Sequence, residues 1–509
     1  MRAPSSRTLI TAAAAVAVFA IAVAPFFWSI TFFTDDHLLL AFARYTPNPL
    51  AAFGHDLHGG EFYRPLSMSL WWLLARLGGG TIWPFAVLAA ALHLLVAMEV
   101  AWLLLALGGG RTAAWSAAAF FWLSPQTREA ALWAAAFPDL LGTALVLGAL
   151  LALLRGRRVA AIGFGACAFL TKESAIVLPL LALLMLIGRN RGRPAVEIAR
   201  RWEVSILGAL AAGYLLARWR VLGGWGGTGD ERAPLTGRLL QISSGLIHVV
   251  TGTDVFPEAL AWGAGVAVLG VALLAVWRTR KSDAAPPAVL APVAFIVVAV
   301  LPLFAVGWIV GARYFYLPAV GLAWLVGQAL ARAGAAWRVG GFLFMVVLGG
   351  VQTLARHDDV AAYDRRVEAA RRAVIDGVDH GHRVFHIAGG IKDLDLAVKE
   401  SPALRAAEDR LLILGDVPAS FVAIPPELES AAAILVAAPP LPPSGAYHFG
   451  ARRVVGLARR GDEPTLDEVI ARFPDLRLLR LRLTPGGRVI ARDVTQEVGR
   501  SLDAGDADL

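Results

Sequence analysis

Apolar stretches of roughly bilayer length recur through the first 354 residues, each closed by a short segment of arginines or mixed polar residues. About 20 consecutive apolar residues cross a bilayer as a helix. A lipid-exposed backbone must also satisfy its own hydrogen bonds, so spans of this kind fold as helices. The runs near residues 8–31, 84–107, 112–124, 138–154, 159–171, 174–188, 202–222, 259–277, 288–309, 316–331 and 338–354 give about 11 transmembrane helices. Composition agrees, with 57% hydrophobic and 17% charged residues among 509, against about 25% charged in soluble chains. A soluble enzyme and a disordered chain are both excluded.

Charge fixes the orientation. Arg2 and Arg7, Arg111, Arg155 with Arg157 and Arg158, Arg189 to Arg201, Arg278 with Arg280 and Lys281, and Arg332 with Arg338 fall in alternate loops. Those loops are cytoplasmic by the positive-inside rule. The first segment also has the basic start and apolar stretch of a signal peptide, but its length and the poor cleavage context at Pro25–Trp28 favour a retained span. An odd number of spans then places residues 355–509 outside the cytoplasm. That tail holds 21 Lys/Arg and 24 Asp/Glu, so the basic pI of about 10.0 comes from the loops of the membrane body and implies no nucleic-acid partner. The single Cys167 excludes an intrachain disulfide.

The chain therefore divides at residue 354 into an all-α polytopic membrane body (1–354), with a large first external loop at 32–83, and a C-terminal extracytoplasmic α/β domain (355–509). Within the loop, Ser67–Leu77 suits a helix lying in the interface, and the outward stretch 236–252 does the same. In the tail, a helical pattern at Ala361–Asp376 precedes strand signals at Arg410–Gly415 and Ala432–Ala438. Leu476–Asp493 alternates around Pro485-Gly486-Gly487 as a hairpin. The tail carries no catalytic motif. Its His380, His382 and His386 could bind a metal, but no Cys and no evident carboxylate completes a set.

The outward face collects the ionisable residues. It carries Thr34-Asp35-Asp36-His37, Gly54-His55-Asp56-Leu57-His58, Tyr63-Arg64-Pro65-Leu66, Gln126-Thr127-Arg128-Glu129, Lys172-Glu173 and Arg313-Tyr314-Phe315-Tyr316. Ionisable groups near membrane depth are costly and point to function. A carboxylate such as Asp35 or Asp36 among apolar neighbours can take a proton from a hydroxyl, and an adjacent pair can share a divalent cation. The same pair also fits a helix cap. Arg64, Lys172 and Arg313, from three separate segments, are the residue types that hold phosphate, though each singly also fits a snorkelling or paired role. Together they point to a hydroxyl acceptor attacking a phosphate-linked donor. His93, mid-span, fits the site or helix packing equally, and His55, Asp56 and His58 fit a solvated loop or a metal.

Asp35-Asp36 after the first span, Tyr63-Arg64-Pro65-Leu66, His93, Pro125 with Glu129 and Trp133, Leu170-Thr171-Lys172-Glu173, and Arg313-Tyr314-Phe315-Tyr316-Leu317-Pro318 together resemble the GT-C glycosyltransferases. The likeness is to the branch containing the TMTC-type protein O-mannosyltransferases and their bacterial relatives, and it covers residues 8–354. The tetratricopeptide array of the TMTC proteins has no counterpart, since no 34-residue period follows Ala355. The stretch after Trp133 reads Ala-Ala-Ala-Phe-Pro-Asp, where relatives often have a small residue and Arg before the acidic position, so Asp139 matches the family's acidic position only in part.

The resemblance implies a polyprenyl-phosphate-linked sugar donor, undecaprenyl or dolichyl, and transfer of a hexosyl group such as mannose to a protein, lipid or glycan hydroxyl outside the cytoplasm. Asp35 or Asp36 would be the base, and Arg64, Lys172 and Arg313 would hold the donor phosphate. Tyr63, His93, Glu129, Glu173, Tyr314 and Tyr316 would support them. The motifs specify no cofactor, and a divalent metal at the acidic pair is compatible. Heavy Ala, Gly and Arg usage suggests a GC-rich bacterial gene and hence the inner membrane. The competing readings are a transporter, which would need broken helices and paired halves, a scaffold with a periplasmic binding domain, and an O-antigen-type polymerase or ligase.

Overall fold

The computed structural model describes residues 31–33, 35–45, 48–54, 62–190, 195–199, 201–224, 234–251, 262–263, 265–266, 270, 286–305, 312–382, 384–388, 397–398, 401, 403–404, 412–415, 447–449, 452–454, 478–483 and 489–493. The expected spans at 8–31 and 259–277 lie wholly or largely outside the described residues, as do the strand at 432–438 and the loop histidines His55 and His58.

Contacts divide the chain into two compact units. The first comprises Met1–Thr31, Ala52–Leu70 and Thr81–His357, and the second Phe32–Ala51, Trp71–Gly80 and Asp358–Leu509. Parts of the first external loop thus group with the tail, and the stretch holding Tyr63 and Arg64 groups with the membrane body.

The regular elements of the first unit are helices, α or 3₁₀, among the described residues. Four helices of the chain are long and apolar enough to cross a membrane among the described residues: Trp83–Ala106, Ala134–Leu154, Trp202–Leu222 and Ala335–Asp379. The chain is accordingly a multi-span helical membrane protein. The stretch predicted at 112–124 forms Arg111–Leu123, that at 159–171 forms Arg158–Thr171, and that at 316–331 forms Pro318–Arg332. The 174–188 run instead begins as a 3₁₀ turn, Glu173–Val177, before the helix Leu178–Arg189. Pro179 explains the change, because it sits in the first turn of a helix, where its missing N–H costs nothing. Trp83, Trp202 and Trp337 stand in the first turns of their helices with exposed rings, the placement of an interface belt.

Small residues let the helices approach. A Cβ at Gly327 would lie 2.6 Å from the Ala117 Cβ, so Pro318–Arg332 packs directly on the Ala113–Ala117 face of Arg111–Leu123. In lipid, close van der Waals packing of this kind replaces the hydrophobic drive of soluble cores.

In the second unit a four-stranded sheet has the order β2-β1-β5-β6, with β1 (Val384–Ala388), β2 (Leu412–Gly415), β5 (Leu478–Leu483) and β6 (Val489–Asp493). β1 runs parallel to both β2 and β5, and β5 pairs antiparallel with β6 from Leu479↔Asp493 to Leu483↔Val489. That hairpin is where the alternation around Pro485 placed it. A further short ladder, β3 (Tyr447–Phe449) with β4 (Arg452–Val454), carried no clear sequence signal. Tyr363, Val367, Ala370 and Val374 follow one face of the long helix and bury against Phe385, Ile413 and Leu481 of the central strands. That spacing is the apolar stripe of an amphipathic helix. It begins beyond the point where the sequence turns polar, yet the helix Ala335–Asp379 is continuous across it.

The segment after the first apolar run also joins this unit. Phe33 packs tilted against the Tyr363 ring at 4.7 Å and His37 stacks on it at 6.1 Å between ring centroids. Burial, helped by Arg371, pulls the His37 imidazole down to about 4, below its ordinary 6.5. The unfolded chain then binds this proton more readily, so stability is full above pH 6.5 and declines as the pH falls from there towards 4. His37→Gln is expected to flatten that decline in thermal unfolding followed between pH 7 and 4.

Candidate functional site

The first unit brings Arg64, Lys172 and Arg313 together. Each arrives on a short irregular break rather than inside a helix. Arg64 precedes Pro65, which disfavours helix at the residue before it and starts the helix Pro65–Leu77. Lys172 is extended, at φ −155° and ψ 144°, between Arg158–Thr171 and the 3₁₀ turn. Arg313 lies in the 3₁₀ turn Ala312–Phe315, ahead of Pro318.

Hydrogen bonds lock the first two breaks to each other. Ser67 donates its hydroxyl to the Thr171 carbonyl at 2.6 Å. The Arg64 Nε donates to both carboxylate oxygens of Glu173 at 2.9 and 3.0 Å, and Arg218 Nη1 reaches the same carboxylate at 3.0 Å. Tyr214, one helical turn before Arg218 and on the same face, donates to the Tyr63 carbonyl at 3.0 Å. The Tyr63 hydroxyl in turn reaches the Phe53 carbonyl at 3.2 Å. Burial by itself would raise the Glu173 carboxyl, but Arg64 and Arg218 outweigh it and hold the group below its usual range.

Lys172 pairs through Nζ with the Asp139 carboxylate, and both side chains are almost fully buried. Asp139 sits in the first turn of the helix Phe137–Leu154, where the helix dipole favours a negative charge. Gly142, one turn later, makes room for the lysine, since a Cβ there would lie 3.3 Å from the Lys172 Cβ. Gly142→Leu should therefore displace Lys172 and destabilise the protein by about 1–3 kcal/mol, measurable as a lowered Tm together with weakened donor binding.

Aromatic faces also contact the cations. Arg313 Cζ stands 4.1 Å from the Trp133 ring centroid and 5.3 Å from that of Tyr314, and Lys172 Nζ lies 5.0 Å from the Tyr314 ring. Such cation–π contacts stabilise a partly desolvated cation. Arg64 lies 4.2 Å over the Phe62 ring. Burial, opposed by Asp139 and reinforced by Arg64 and Arg313, pulls the Lys172 ammonium down to about 8. That mutual influence marks the three cations as one electrostatic group.

The other supporting residues divide. Tyr314 belongs to the cluster. Glu173 belongs to it as the acceptor for Arg64 and Arg218, and Tyr63 through its carbonyl. Tyr316 points elsewhere: its hydroxyl lies 2.7 Å from His93 Nδ1, while His93 Nε2 is 3.1 Å from the Trp122 carbonyl. A carbonyl only accepts, so Nε2 carries the proton and a neutral ring accepts the tyrosine proton at Nδ1. His93 thus ties the helix Trp83–Ala106 to the end of Arg111–Leu123 and to the turn before Pro318. The Glu129 side chain lies outside the described residues.

Asp35 and Asp36 belong to the second unit, in the first turn of the helix Asp35–Tyr45. The Asp36 carboxylate is buried and accepts the Phe33 N–H at 2.8 Å, while its own N–H donates to the Phe33 carbonyl at 3.1 Å. This is a capping arrangement. Asp35 is partly exposed beside it. Among the described residues, no group of three His, Cys, Asp or Glu side chains is placed to hold a metal.

The sequence set Asp139 aside and gave no role to Arg218 or to the Trp133 ring. Arg218 had a signal, an arginine four residues after a tyrosine inside an apolar run. Asp139 had another, an acid following Pro138 at the start of a span.

What the fold and these side chains define is a multi-span helical membrane protein with a partly buried cluster of cations braced by two carboxylates and aromatic rings. No family model matches the chain, and no curated protein matches it. Among solved structures, it is similar to the archaeal oligosaccharyltransferase AglB from Archaeoglobus fulgidus, solved in complex with an inhibitory peptide and a dolichol-phosphate. The TM-score is 0.44 with 11% identity, over 82% of this chain and 67% of that one.

Proposed function

We propose that the chain is a glycosyltransferase that moves a sugar from a polyprenyl-phosphate-linked donor to a hydroxyl acceptor on the outer face of a bacterial inner membrane. The observation that carries this reading is the convergence of Arg64, Lys172 and Arg313 around Tyr314, with Arg218 behind them on Glu173. Lys172 and Arg218 are buried there and Arg64 and Arg313 half-buried, so the cations are partly shielded from water. Arginine offers a planar fork and lysine a point charge, the complementary ways of holding phosphate oxygens.

In this mechanism Asp35 takes the acceptor's hydroxyl proton, and the oxygen attacks the anomeric carbon of the donor. The bond from that carbon to the phosphate oxygen breaks, and polyprenyl phosphate leaves with the electron pair. The cations stabilise the charge that develops on the leaving oxygen, which is worth most in a site shielded from water. Asp36 keeps its capping role. The tail sheet serves acceptor binding or docking.

Two measurements probe the cationic half. Arg64→Ala should raise KM for the donor and lower kcat, because its charge meets the phosphate in the ground state and more strongly in the transition state. Loss of one such contact costs about 10²–10³ in rate. Lys172 adds a pH dependence. Its ammonium is protonated below about 8 and neutral above, so donor affinity should fall as the pH rises through that value. Lys172→Arg, charged throughout, should remove the inflection from a profile of donor KM against pH between 6.5 and 9.5. An unchanged inflection in that variant would assign it to another group.

A further inference from the structure

A second feature of the membrane body lies apart from the cation cluster. A cavity of about 640 Å³ opens between the helices Arg111–Leu123, Pro318–Arg332 and Ala335–Asp379, with Phe120, Phe342 and Met345 among its apolar walls and Arg111 and Arg338 also lining it. Helix packing settles where the arginines stand. Gly327, near the end of its helix, meets Ala113 and Ala117 near the start of Arg111–Leu123, so those two helices run antiparallel. The chain turns at Ala333 and Gly334 and begins the helix Ala335–Asp379 at that same end. Further along, Gly349 packs beside the Leu123 carbonyl, so this last helix runs parallel to Arg111–Leu123. Arg338 and Arg111 therefore stand at one mouth of the groove, and Leu123 and Val250 close the other.

From Arg111 to Leu123 the helix rises about 18 Å, close to the depth of one leaflet of a hydrocarbon core about 30 Å thick. An apolar channel of one leaflet's depth takes a fatty-acyl chain lengthwise. Its mouth carries two guanidiniums, and neither forms an ion pair among the described residues. Basic pockets between transmembrane helices hold anionic head groups in this way, and paired arginines suit a phosphate diester.

We infer that this groove is a binding site for an anionic phospholipid, with one acyl chain along Phe120, Phe342 and Met345 and the head-group phosphate between Arg111 and Arg338. The occupant is a structural lipid of the leaflet on the arginine side. It is distinct from the sugar donor, whose phosphate is assigned to Arg64, Lys172 and Arg313, and the inference does not depend on the glycosyltransferase reading.

The test uses the full-length chain reconstituted into vesicles of equal phosphatidylglycerol and phosphatidylcholine, extracted in mild detergent and weighed with its retained lipids by native mass spectrometry. The intact protein should keep one phosphatidylglycerol in preference to phosphatidylcholine. R111Q/R338Q should lose that retention by on the order of thirtyfold, and R111K/R338K should keep most of it. Photo-crosslinking of the unmodified protein with phosphatidylglycerol bearing a reactive acyl chain should label the peptide containing Phe342 and Met345, a readout that needs no variant to fold. Equal retention of both lipids, undiminished retention by R111Q/R338Q, labelling only at other peptides, or displacement of the retained lipid by added polyprenyl phosphate would each overturn the assignment.

Discussion

Asp35→Asn should lower the rate of sugar transfer by about 10²–10⁴-fold, the usual contribution of a positioned general base, while leaving donor binding close to normal. Asparagine keeps the volume and the hydrogen-bonding capacity of the side chain and removes only its ability to take a proton. The neighbouring Asp36→Asn provides an internal contrast. Asp36 accepts the Phe33 N–H, and an asparagine oxygen accepts the same bond, so this change should cost little rate. Steady-state transfer by the two single variants and the double variant checks the division. Near-normal transfer by a correctly inserted double variant would remove the general-base mechanism and favour a transporter or a scaffold.

The second large effect concerns Lys172. Lys172→Met leaves the Asp139 carboxylate buried without its ammonium, a loss that costs about 3–5 kcal/mol where one partner of a buried pair is removed. Replacing both partners with apolar residues is far milder, because no charge is then stranded. The double variant Lys172→Met, Asp139→Leu should accordingly recover most of the lost thermal stability. Donor binding should stay weak in both, since the phosphate has lost a cation in each. Full recovery of donor affinity in the double variant would reduce Lys172 to a structural partner of Asp139. Unfolding midpoints and donor KM, measured on the same preparations, separate the two roles.

The parts of this molecule that a linear reading reached are those in which local chemistry is sufficient. Pro65, Pro179 and Pro318 mark the breaks that carry Arg64, Lys172 and Arg313, and alternation around Pro485 marks the β5–β6 pairing. What escaped it depends on residues distant in sequence. Arg218 looks like one polar residue in an apolar run until Glu173 is brought beside it, and Asp139 gains its meaning only from Lys172 on the break after the next helix. His93 looked equally suited to chemistry and packing, and only the positions of Tyr316 and Trp122 show which hydrogen bonds it makes. The change in composition near residue 355 suggested a domain edge. Helical hydrogen bonds are indifferent to that change, and Ala335–Asp379 runs through it with an apolar stripe at its far end facing a sheet. The 32–83 loop offered no sign that Phe33 and His37 would join Tyr363 while Ser67 joined Thr171.

The central claim is that the cations hold a lipid-linked phosphate during sugar transfer. The most direct test incubates the purified full-length protein with a panel of polyprenyl-phosphate sugars and hydroxyl acceptors, and follows both products by mass spectrometry. Acceptor-dependent appearance of free polyprenyl phosphate, matched by a glycosylated acceptor and suppressed in Arg313→Ala, is the result expected here. Binding of the lipid-linked sugar, or its movement across the membrane, with the sugar–phosphate bond intact across the whole panel would contradict it.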